Sequence, residues 1–507
     1  MYEEESAMPD HNQPQEHADS DIFSGASDLR HSSHVTADTT HETHETHEDA
    51  AAGAIYDVII IGGGPAGSAC AMTLACQGRK VLVLEKAAFP RFHLGESLLP
   101  FGTSVLRRLG VLDAIIASGA IVKRGAEFCS TDPQRFRRVD FTISDPGREH
   151  YAFQVERAQF DSLLLDHAAQ AGAEVLMQAR VTDLIVEPDE ARGTHGQTGG
   201  KERVRGVVYV HHEDPHLRRA TARWIVDASG RAGVLAHRYH LRHPAPRLRN
   251  IALFRHYPDC DERTNPGIKG DIQVGYHADG WVWAIPIHET VLSVGAVMAR
   301  TALPTHDPMA AAEAVFTEHV GRIPRIVQRL PTTASAPPVR METDFCYGCE
   351  QAWGPGYVLV GDAACFSDPV FSAGAFLALT TGERAGQTLD RLLSELGEAT
   401  AKDTRERAAL AAYDRFLKTG YDTYFRVVYG FYEAGCDFRK YLKWRLGRVG
   451  EGQDANYWIT RTLTGDFWTE GNPITSQMRD DRAWDTFAPF TPLYGCPVYP
   501  DSTRPGR

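Results

Sequence analysis

The sequence predicts an α/β protein built on a doubly wound, mixed parallel sheet. Residues 57–86 run as a buried apolar strand, a glycine cluster, a helix and a second buried strand, the order of a βαβ unit. Segments 224–230 and 357–364 each repeat a buried strand that ends in Asp and Gly. The 507 residues are 43% hydrophobic and 23% charged, with a mean hydropathy of −0.32, which is typical of a globular chain.

The first 54 residues differ from the rest in charge. They carry 13 acidic side chains and one basic side chain, whereas the remaining residues are almost neutral. Such a segment buries too little apolar area to offset the entropy of ordering, so we expect a disordered tail. Its repeat THETHETHE (40–48) could bind a metal through His41, His44 and His47, but low-complexity tails are more often simply solvated. We therefore predict no metal site.

Several classes of protein are disfavoured by composition. The nearly neutral body lacks the net basic charge of nucleic-acid-binding proteins. Nine cysteines without regular spacing favour reduced thiols and a cytoplasmic location, and the single C-x-x-C of Cys346 and Cys349 is interpreted as two incidental thiols. No apolar run of about 18 residues and no secretory signal pattern occurs, so we expect neither a membrane span nor export.

The later elements follow from their patterns. Segment 187–221 is polar and Gly-rich and predicts loops on an edge hairpin, whereas residues 270–297 alternate as antiparallel strands do. The chain becomes helical from about Gly382. Its aromatic residues at helical spacing predict a buried helix face, with the wall of a substrate pocket as the alternative; they are Tyr421, Tyr424, Phe425, Tyr429 and Tyr432.

A dinucleotide fingerprint lies between the first strand and the first helix. Residues 62–67 read G-G-G-P-A-G, where glycine allows the backbone to turn tightly and approach a diphosphate, and the helix N-terminus supplies free N–H groups. Glu85 ends the second strand at the distance expected of a ribose-binding acid. A glycine turn without a nucleotide is the alternative.

Two further motifs indicate which nucleotide binds. GDAA (361–364) resembles the second FAD motif of glutathione-reductase-type flavoproteins, and QVERAQFD (154–161) resembles the segment in which flavin monooxygenases place an arginine near the flavin. The resemblance implies a glutathione-reductase-like FAD-binding fold with an antiparallel sheet on the substrate side. The cofactor-binding residues that it implies are Gly62, Gly63, Gly64, Ala66, Gly67, Glu85, Lys86, Arg91, Arg157 and Asp362.

Three more segments resemble flavin-dependent halogenases of the non-tryptophan type, which act on phenolic, pyrrolic or carrier-bound aromatic substrates. They are FPRFHLGESLLP (89–100), GWVWAIP (280–286) and FSDPVFSAG (366–374). A fourth, SGAIVKRGAEF (118–128), is similar to the segment that holds the lysine on which halogenation depends, here Lys123. By itself, a lysine beside Arg124 would be interpreted as a surface cation. The resemblance covers residues 55 to about 445.

The resemblance implies a specific chemistry. Reduced FAD and oxygen oxidise chloride or bromide to hypohalous acid, which reaches Lys123 and then halogenates an electron-rich aromatic ring. The backbone N–H groups of Ala373 and Gly374 would bind the halide. Trp281 and Trp283 would separate flavin from substrate, and they could equally be core residues. Reduced FAD would come from a separate NAD(P)H-dependent reductase, since no second nucleotide fingerprint is visible.

The sequence departs from this family at the proposed halide turn. Phe371 stands where tryptophan halogenases carry a glutamate, which favours a phenol or pyrrole, free or carrier-bound, over free tryptophan. Ala373 replaces a hydroxyl-bearing residue, so halide affinity is in question. The alternatives are a flavin monooxygenase or dehydrogenase and a non-catalytic flavin-binding protein. We predict three regions: an acidic tail (1–54), an FAD-binding core (55–385) and a helical region covering the substrate side (386–507).

Overall fold

The computed structural model describes most of the chain after the acidic tail. The described ranges are 55–143, 149–189, 202–245, 248–260, 270–304, 306–331, 336–343, 345–395, 399–434, 455–469 and 471–472. All of them fall within one compact unit, Gly53–Arg507. The tail, with its THETHETHE repeat, lies outside the described residues. In the described part of the chain, no helix combines the length and apolar character that crossing a bilayer requires.

Nineteen strands and ten α-helices are present in the described residues. The strands are β1 (Tyr56–Ile61), β2 (Val81–Leu84), β3 (Ile121–Lys123), β4 (Gly125–Ser130), β5 (Phe136–Asp140), β6 (Ala152–Gln154), β7 (Glu174–Leu176), β8 (Ala179–Pro188), β9 (Glu202–His211), β10 (Asp214–Asp227), β11 (Arg242–Pro244), β12 (Asn250–Tyr257), β13 (Ile272–His277), β14 (Gly280–His288), β15 (Val291–Ala299), β16 (Arg340–Thr343), β17 (Tyr347–Cys349), β18 (Trp353–Gly354) and β19 (Tyr357–Leu359). The helices are α1 (Pro65–Ala75), α2 (Pro100–Arg108), α3 (Leu112–Ala117), α4 (Arg157–Gln170), α5 (Val234–Arg238), α6 (Pro308–Gly321), α7 (Pro324–Val327), α8 (Gly374–Ser394), α9 (Ala399–Ala434) and α10 (Ala455–Leu463).

The first sheet is the predicted mixed parallel sheet. Its path runs β18-β19-β10-β1-β2-β7, with β9 and β8 added beyond β10. The five central strands are parallel, whereas β18, β9 and β8 pair antiparallel. The central strands β1 and β2 are apolar and almost wholly buried because helices cover both faces of such a sheet.

The second sheet is mainly antiparallel. Its seven strands run β16-β12-β15-β14-β13-β4-β5, and only the β13–β4 pair is parallel. The prediction of antiparallel strands over 270–297 is thus confirmed. Both faces of β14 and β15 are buried, so the alternation of apolar and polar residues in the sequence does not mean that one face of this sheet is exposed to solvent.

The edge hairpin predicted over 187–221 contains more strand than the sequence interpretation gave it. Residues 202–211 and 214–221 are not loops but belong to the long strands β9 and β10, which form a three-stranded antiparallel extension with β8. The end of β10 is the buried strand predicted from residue 224 onward. The first half of β10 is exposed and rich in arginine. Because the exposed side chains of an edge extension can all be polar, this half lacks the apolar alternation by which a strand is recognised in sequence. Residues 190–201 of the same segment lie outside the described residues.

The helices bring distant motifs together. Helix α8 lies directly on α1, since a Cβ at Gly382 would overlap the backbone of Ala66. The predicted boundary at residue 385 falls inside α8, and the division into three regions stays a prediction. In α9 the aromatic face is buried, with Tyr421, Tyr424 and Tyr429 each at most 2% exposed.

Candidate active site

The glycine turn has the geometry that close approach of a diphosphate requires. Gly62 has a φ of +102°, and a Cβ on Gly67 would overlap the carbonyl oxygen of Gly62. A Cβ on Gly64, in contrast, would meet only an Nη atom of Arg91 at 3.6 Å. Helix α1 begins at Pro65, so its first N–H groups, including that of Ala66, lack intrahelical acceptors and face the turn.

Charged side chains flank this turn. The carboxylate of Glu85 accepts hydrogen bonds from Gly63 N at 2.8 Å and Ala87 N at 2.9 Å, which leaves lone pairs for a ribose hydroxyl. Arg91 lies 3.4 Å from the Asp161 carboxylate, yet its buried Nη1 has no hydrogen-bond partner among the described residues. A half-buried guanidinium with a buried Nη1 beside an open glycine turn fits the diphosphate of FAD. Lys86 is exposed and points away from the protein interior.

The second FAD motif lies against the first. Gly361 begins a 3₁₀ turn, and a Cβ there would be 2.9 Å from the Cβ of Ala66 on α1. Burial raises the pKa of the Asp362 carboxyl to about 7, although Arg157, Arg231 and Arg242 act in the opposite direction. No hydrogen bond from a described residue reaches this carboxylate, so a ribityl hydroxyl is a fitting partner.

Arg157 supports a loop as well as the cofactor region. Its guanidinium forms a two-point ion pair with Asp161 at 2.8 and 2.9 Å. It also donates to the carbonyl oxygens of Leu94 and Gly95, at 2.7 and 3.3 Å. Most of its N–H groups are thus used within the protein, and its role toward FAD stays a prediction. The contact explains how segment 89–100 is held beside α4.

Lys123 is buried, unlike the surface cation that its immediate neighbours would suggest. It ends the short strand β3, whose pairing with β6 sets Lys123 opposite Ala152. The lysine is 1% exposed, whereas the apolar Val122 beside it is 38% exposed. Its Nζ donates to Ser97 Oγ at 2.8 Å and to the carbonyl oxygen of Leu98 at 3.0 Å. Segments 89–100 and 118–128 therefore meet at this amine.

Burial changes the acid–base behaviour of this amine. It lowers the pKa of Lys123 to about 7, while the nearby negative charge of Asp271 acts in the opposite direction. An ordinary lysine is almost wholly protonated at neutral pH, whereas this one is divided between ammonium and neutral amine. The amine also lies 5.5 Å from the centre of the Phe141 ring.

Lys123 and the proposed halide turn share one cavity. Its volume is about 20 Å³, room for roughly one water-sized species. Apart from Lys123 and Ser372, the lining side chains are apolar: Leu99, Ala126, Phe128, Val139, Phe141, Ile272, Val274, Val370, Phe371 and Leu463. These residues come from the antiparallel sheet, the short strand β3, the turn before α8 and the end of α10, among other segments. The cavity therefore unites segments that are far apart in sequence.

The proposed halide turn joins a 3₁₀ helix to α8. The 3₁₀ helix spans Pro369–Phe371, and Ser372 then adopts a φ of +60°, an uncommon conformation for a residue with a side chain. Ala373 is fully buried at the N-cap of α8, which begins at Gly374. A Cβ on Gly374 would meet no heavy atom within 4 Å, so open space adjoins the helix N-terminus. The N–H group of Gly374 at this helix start borders the open space and suits an anion, whereas that of Ala373 also lies within hydrogen-bonding reach of the Tyr424 hydroxyl.

Both predicted tryptophans are buried at a point where three motifs meet. Trp281 is 2% and Trp283 3% exposed, and their ring centres are 5.7 Å apart. Trp283 donates to Ser293 Oγ at 3.2 Å, and Ser293 donates to Glu96 Oε2 at 3.0 Å. Neither tryptophan belongs to the described lining of the Lys123 cavity. The core interpretation is therefore confirmed, and separation of flavin from substrate stays a prediction.

Sequence reasoning missed several residues of this site. Ser97 and Glu96 lie within segment 89–100, yet nothing local marks Ser97 as an acceptor for Lys123 or Glu96 as an acceptor for Ser293. Glu96 is 2% exposed, and its Oε1 lies 2.7 Å from Nε2 of His256, on β12. Asp368 lies inside the motif of residues 366–374, but its partners on β12 and α9 are remote in sequence. Only their tertiary contacts identify them.

Other predicted or unpredicted features lie apart from this cavity. Cys346 and Cys349 are free and buried, and burial raises both thiol pKa values, as expected of incidental thiols.

A larger cavity of about 590 Å³ is lined by basic side chains that include Arg231, Arg242 and Arg249. It lies behind the GDAA turn, since its lining residue Tyr347 donates to the carbonyl oxygen of Asp362 at 2.7 Å.

Comparison with known proteins identifies the family of this chain. The family model described as tryptophan halogenase matches residues 57–142 and 142–437. The flavin-dependent halogenase armH3 of Armillaria mellea is 32% identical over 395 residues, which is 74% of this chain and 74% of that protein. The 1H-pyrrole-2-carbonyl-[peptidyl-carrier protein] chlorinase of Pseudomonas fluorescens is 29% identical over 438 residues, 82% of this chain and 90% of that protein.

Solved structures give the same result for the fold. The flavin-dependent brominase Bmp2 is 25% identical with a TM-score of 0.69, covering 84% of this chain and 98% of its own. The myxobacterial chondrochloren halogenase CndH is 28% identical with a TM-score of 0.63, covering 84% and 96%. The predicted glutathione-reductase-like fold and its FAD cofactor are thereby confirmed. The chain belongs to the flavin-dependent halogenase family, and within it to the type that does not act on tryptophan.

Proposed function

We propose that this protein halogenates a small electron-rich aromatic compound, using reduced FAD, oxygen and chloride or bromide, with Lys123 as the residue that transfers the halogen. The observation that carries the proposal is the position of the Lys123 amine. It is buried, has a lowered pKa and shares an apolar cavity with the turn before α8. A buried lysine without a buried carboxylate bonded to it is costly, which favours a functional reason for its position.

The amine is oriented for transfer by its two hydrogen bonds. A neutral amine has two N–H bonds and one lone pair, and Ser97 Oγ and Leu98 O can accept both N–H bonds. The lone pair then points away from these acceptors. Lowering the pKa to about 7 keeps a large fraction of this nucleophile available at neutral pH.

The chemistry balances with the components named. When bound, reduced FAD would supply two electrons and two protons that, with oxygen, one further proton and the halide, give hypohalous acid and water. The Lys123 nitrogen then attacks the halogen, so that an N–X bond forms, the O–X bond breaks and water leaves. The aromatic carbon next takes the halogen from nitrogen, loses its proton and regenerates the amine. Backbone N–H groups at Ala373 and Gly374 would bind the halide before it is oxidised.

The lining of the cavity favours a substrate that is activated on its own. Phe371 and the other apolar side chains provide no carboxylate to accept the aromatic proton. Phenols and pyrroles push electron density into the ring through their own heteroatom, so they need less help from a base. A carrier-tethered pyrrole is supported by the similarity to the Pseudomonas fluorescens chlorinase. We propose a separate NAD(P)H-dependent flavin reductase as the source of reduced FAD.

The test is a reconstituted reaction followed by product mass. The purified chain is incubated with FAD, a flavin reductase, NADH and a panel of phenols, pyrroles and a carrier-bound pyrrole, with and without chloride or bromide. We expect a halide-dependent mass gain with the halogen isotope pattern. Lys123→Ala should abolish this product while FAD affinity and flavin oxidation stay at wild-type values. The matched control Arg124→Ala removes the neighbouring cation and should leave product formation intact.

A second function is favoured by one solved structure. A flavoprotein/dehydrogenase from Cytophaga hutchinsonii is 26% identical with a TM-score of 0.67, covering 83% of this chain and 96% of its own. A monooxygenase or dehydrogenase would turn over without halide. A gain of one oxygen, or loss of two hydrogens, that is independent of halide and of Lys123 would establish this function in place of halogenation.

A further inference from the structure

Asp368 is a buried carboxylate at the start of the turn that precedes α8. It is 0% exposed, and its Oδ1 accepts a hydrogen bond from Val370 N at 3.1 Å. Its Oδ2 accepts from the Tyr432 hydroxyl at 2.7 Å and from Asn250 Nδ2 at 3.1 Å. Three donors therefore converge on one side chain, an arrangement that holds a buried carboxylate in a single orientation.

The partners of Asp368 come from three different elements. Asn250 begins β12 in the antiparallel sheet, and Tyr432 lies near the end of α9. Trp281 of β14 donates to the Tyr432 hydroxyl at 2.9 Å. On the backbone side, the Tyr424 hydroxyl donates to the carbonyl oxygen of Asp368 at 2.6 Å. Asp368 thus connects the antiparallel sheet and α9 to the turn.

The residues after Asp368 are those that the proposed chemistry uses. Val370 and Phe371 line the cavity of Lys123, and Ser372 adopts its positive φ immediately afterwards. The hydrogen bond to Val370 N sets the first turn of the 3₁₀ helix, and the backbone continues without a break into Ala373 and Gly374. A small rotation at Asp368 would therefore move both the cavity wall and the N–H groups at the start of α8.

We propose that Asp368 is the positioning residue of the halide turn: its carboxylate holds the backbone of residues 369–374 so that the N–H groups of Ala373 and Gly374 face the halide. This inference rests on the proposed halogenation. Asp368 does not touch the halide, since it acts through Val370 and the backbone that follows. Its coupling to Tyr432 and Trp281 makes the same geometry depend on how α9 packs on the antiparallel sheet.

The charge of Asp368 is part of this arrangement. Burial raises the pKa of its carboxyl to about 6, while the hydrogen bonds from Tyr432, Asn250 and Val370 act in the opposite direction. The titratable groups that face it are Tyr432, Tyr424 and Cys346, and burial raises the pKa of each, so all three stay neutral. Above pH 6 the carboxylate accepts from all its donors. An amide at this position would direct one N–H₂ group at a donor and lose a bond.

The test compares variants in the full-length FAD-loaded protein, with bromide as the probe. Halide affinity is measured as the bromide-dependent change in the absorbance of bound oxidised FAD, and KM for bromide and kcat come from product formation. We expect Asp368→Ala to weaken bromide binding and raise this KM by at least about tenfold, with FAD affinity within about twofold. Asp368→Asn should restore part of the affinity, and Tyr432→Phe should raise KM by a few fold.

Tyr413→Phe is the matched control. Tyr413 is also a buried tyrosine of α9, but its hydroxyl donates to the carbonyl oxygen of Leu359, at 2.6 Å, rather than to Asp368. Its loss should leave bromide affinity unchanged. If Asp368→Asn lowers kcat, melting temperature and FAD affinity together while bromide affinity stays at the wild-type value, Asp368 is only structural and the inference is overturned. If the wild-type protein itself shows no response to halide, the proposed function fails, and the inference fails with it.

Discussion

At the scale of single residues, the informative contrast is between Lys123 and its neighbour Val122. The pattern of this short strand is inverted, since the charged residue is buried and the apolar one is exposed. Burial removes water from the Lys123 amine, and the pKa of the amine is lowered because its charged form loses hydration. The same burial that destabilises the ammonium makes the amine nucleophilic near pH 7.

We predict that halogenation depends on the neutral form of Lys123. The rate of product formation should rise between pH 5.5 and about 7 and then level off, because deprotonation follows the pKa of about 7. Lys123→Arg keeps a cation that cannot lose its proton and should reduce the rate by about 100-fold or more. Single-turnover reactions with pre-reduced enzyme measure this step. A wild-type rate that falls as the pH rises through 7 would indicate that the ammonium is the active form.

The stability of the protein should report the same burial. Between pH 7 and about 10, Lys123 binds a proton in the unfolded protein but not in the folded protein. Unfolding therefore becomes less favourable as the pH rises. Lys123→Met has no such proton. The melting temperature of the wild type, relative to that of the variant, should therefore rise between pH 7 and pH 9. At pH 6 the variant should be the more stable of the two. A constant difference across this range would mean that Lys123 titrates normally.

At the scale of elements, the glycine turn and α1 separate two roles of glycine. Gly67 allows close packing of the protein on itself, because a Cβ there would overlap the backbone of Gly62. Gly64 borders open space, with only Arg91 at van der Waals distance. The fold therefore requires glycine at position 67, whereas the ligand requires it at position 64.

Two substitutions at this turn should give different results. Gly67→Ala should lower the melting temperature of the FAD-free protein by several degrees and weaken FAD binding, since the backbone must move. Gly64→Ala should leave that melting temperature nearly unchanged and weaken FAD binding by about tenfold, because the methyl group occupies the diphosphate approach. Calorimetry of the FAD-free protein and fluorescence titration with FAD measure the two effects. Equal losses of stability in both variants would contradict the separation of roles.

At the scale of the whole molecule, the charge is divided unevenly along the chain. Nearly all of the net charge of −13 belongs to residues 1–54, whereas every described functional residue lies after residue 55. A polar, acidic segment of this composition adds little to the stability of a folded core. The proposed chemistry thus depends on the unit that begins at Gly53.

Deletion of residues 2–50 should leave halogenation within about twofold of the full chain. The physical reason is that the segment carries no residue of the proposed site and few apolar side chains to bury. The rate is measured with the same reductase and substrate for both proteins, and bound FAD is quantified in each. A loss much larger than twofold with normal FAD content would mean that the tail binds the reductase or the substrate carrier.

Much of the fold and the cofactor chemistry was readable from the sequence alone. Short-range patterns predict the βαβ unit, and the glycine spacing predicts a site for a nucleotide diphosphate, because both depend on backbone geometry within a few residues. Motif order then favoured FAD and the halogenase family, which the comparisons confirmed. The strand character of residues 202–221, in β9 and the first half of β10, was missed, since polar edge strands lack the apolar pattern that identifies a strand.

Only the tertiary structure decided how these motifs act together. The burial of Lys123, its bonds to Ser97 and Leu98, and its shared cavity with Phe371 depend on contacts between segments up to several hundred residues apart. The same holds for Asp368, whose partner Asn250 precedes it by 118 residues. A sequence reports which side chains are available. Desolvation, and with it the pKa and direction of a buried group, is set by what packs around that group after folding.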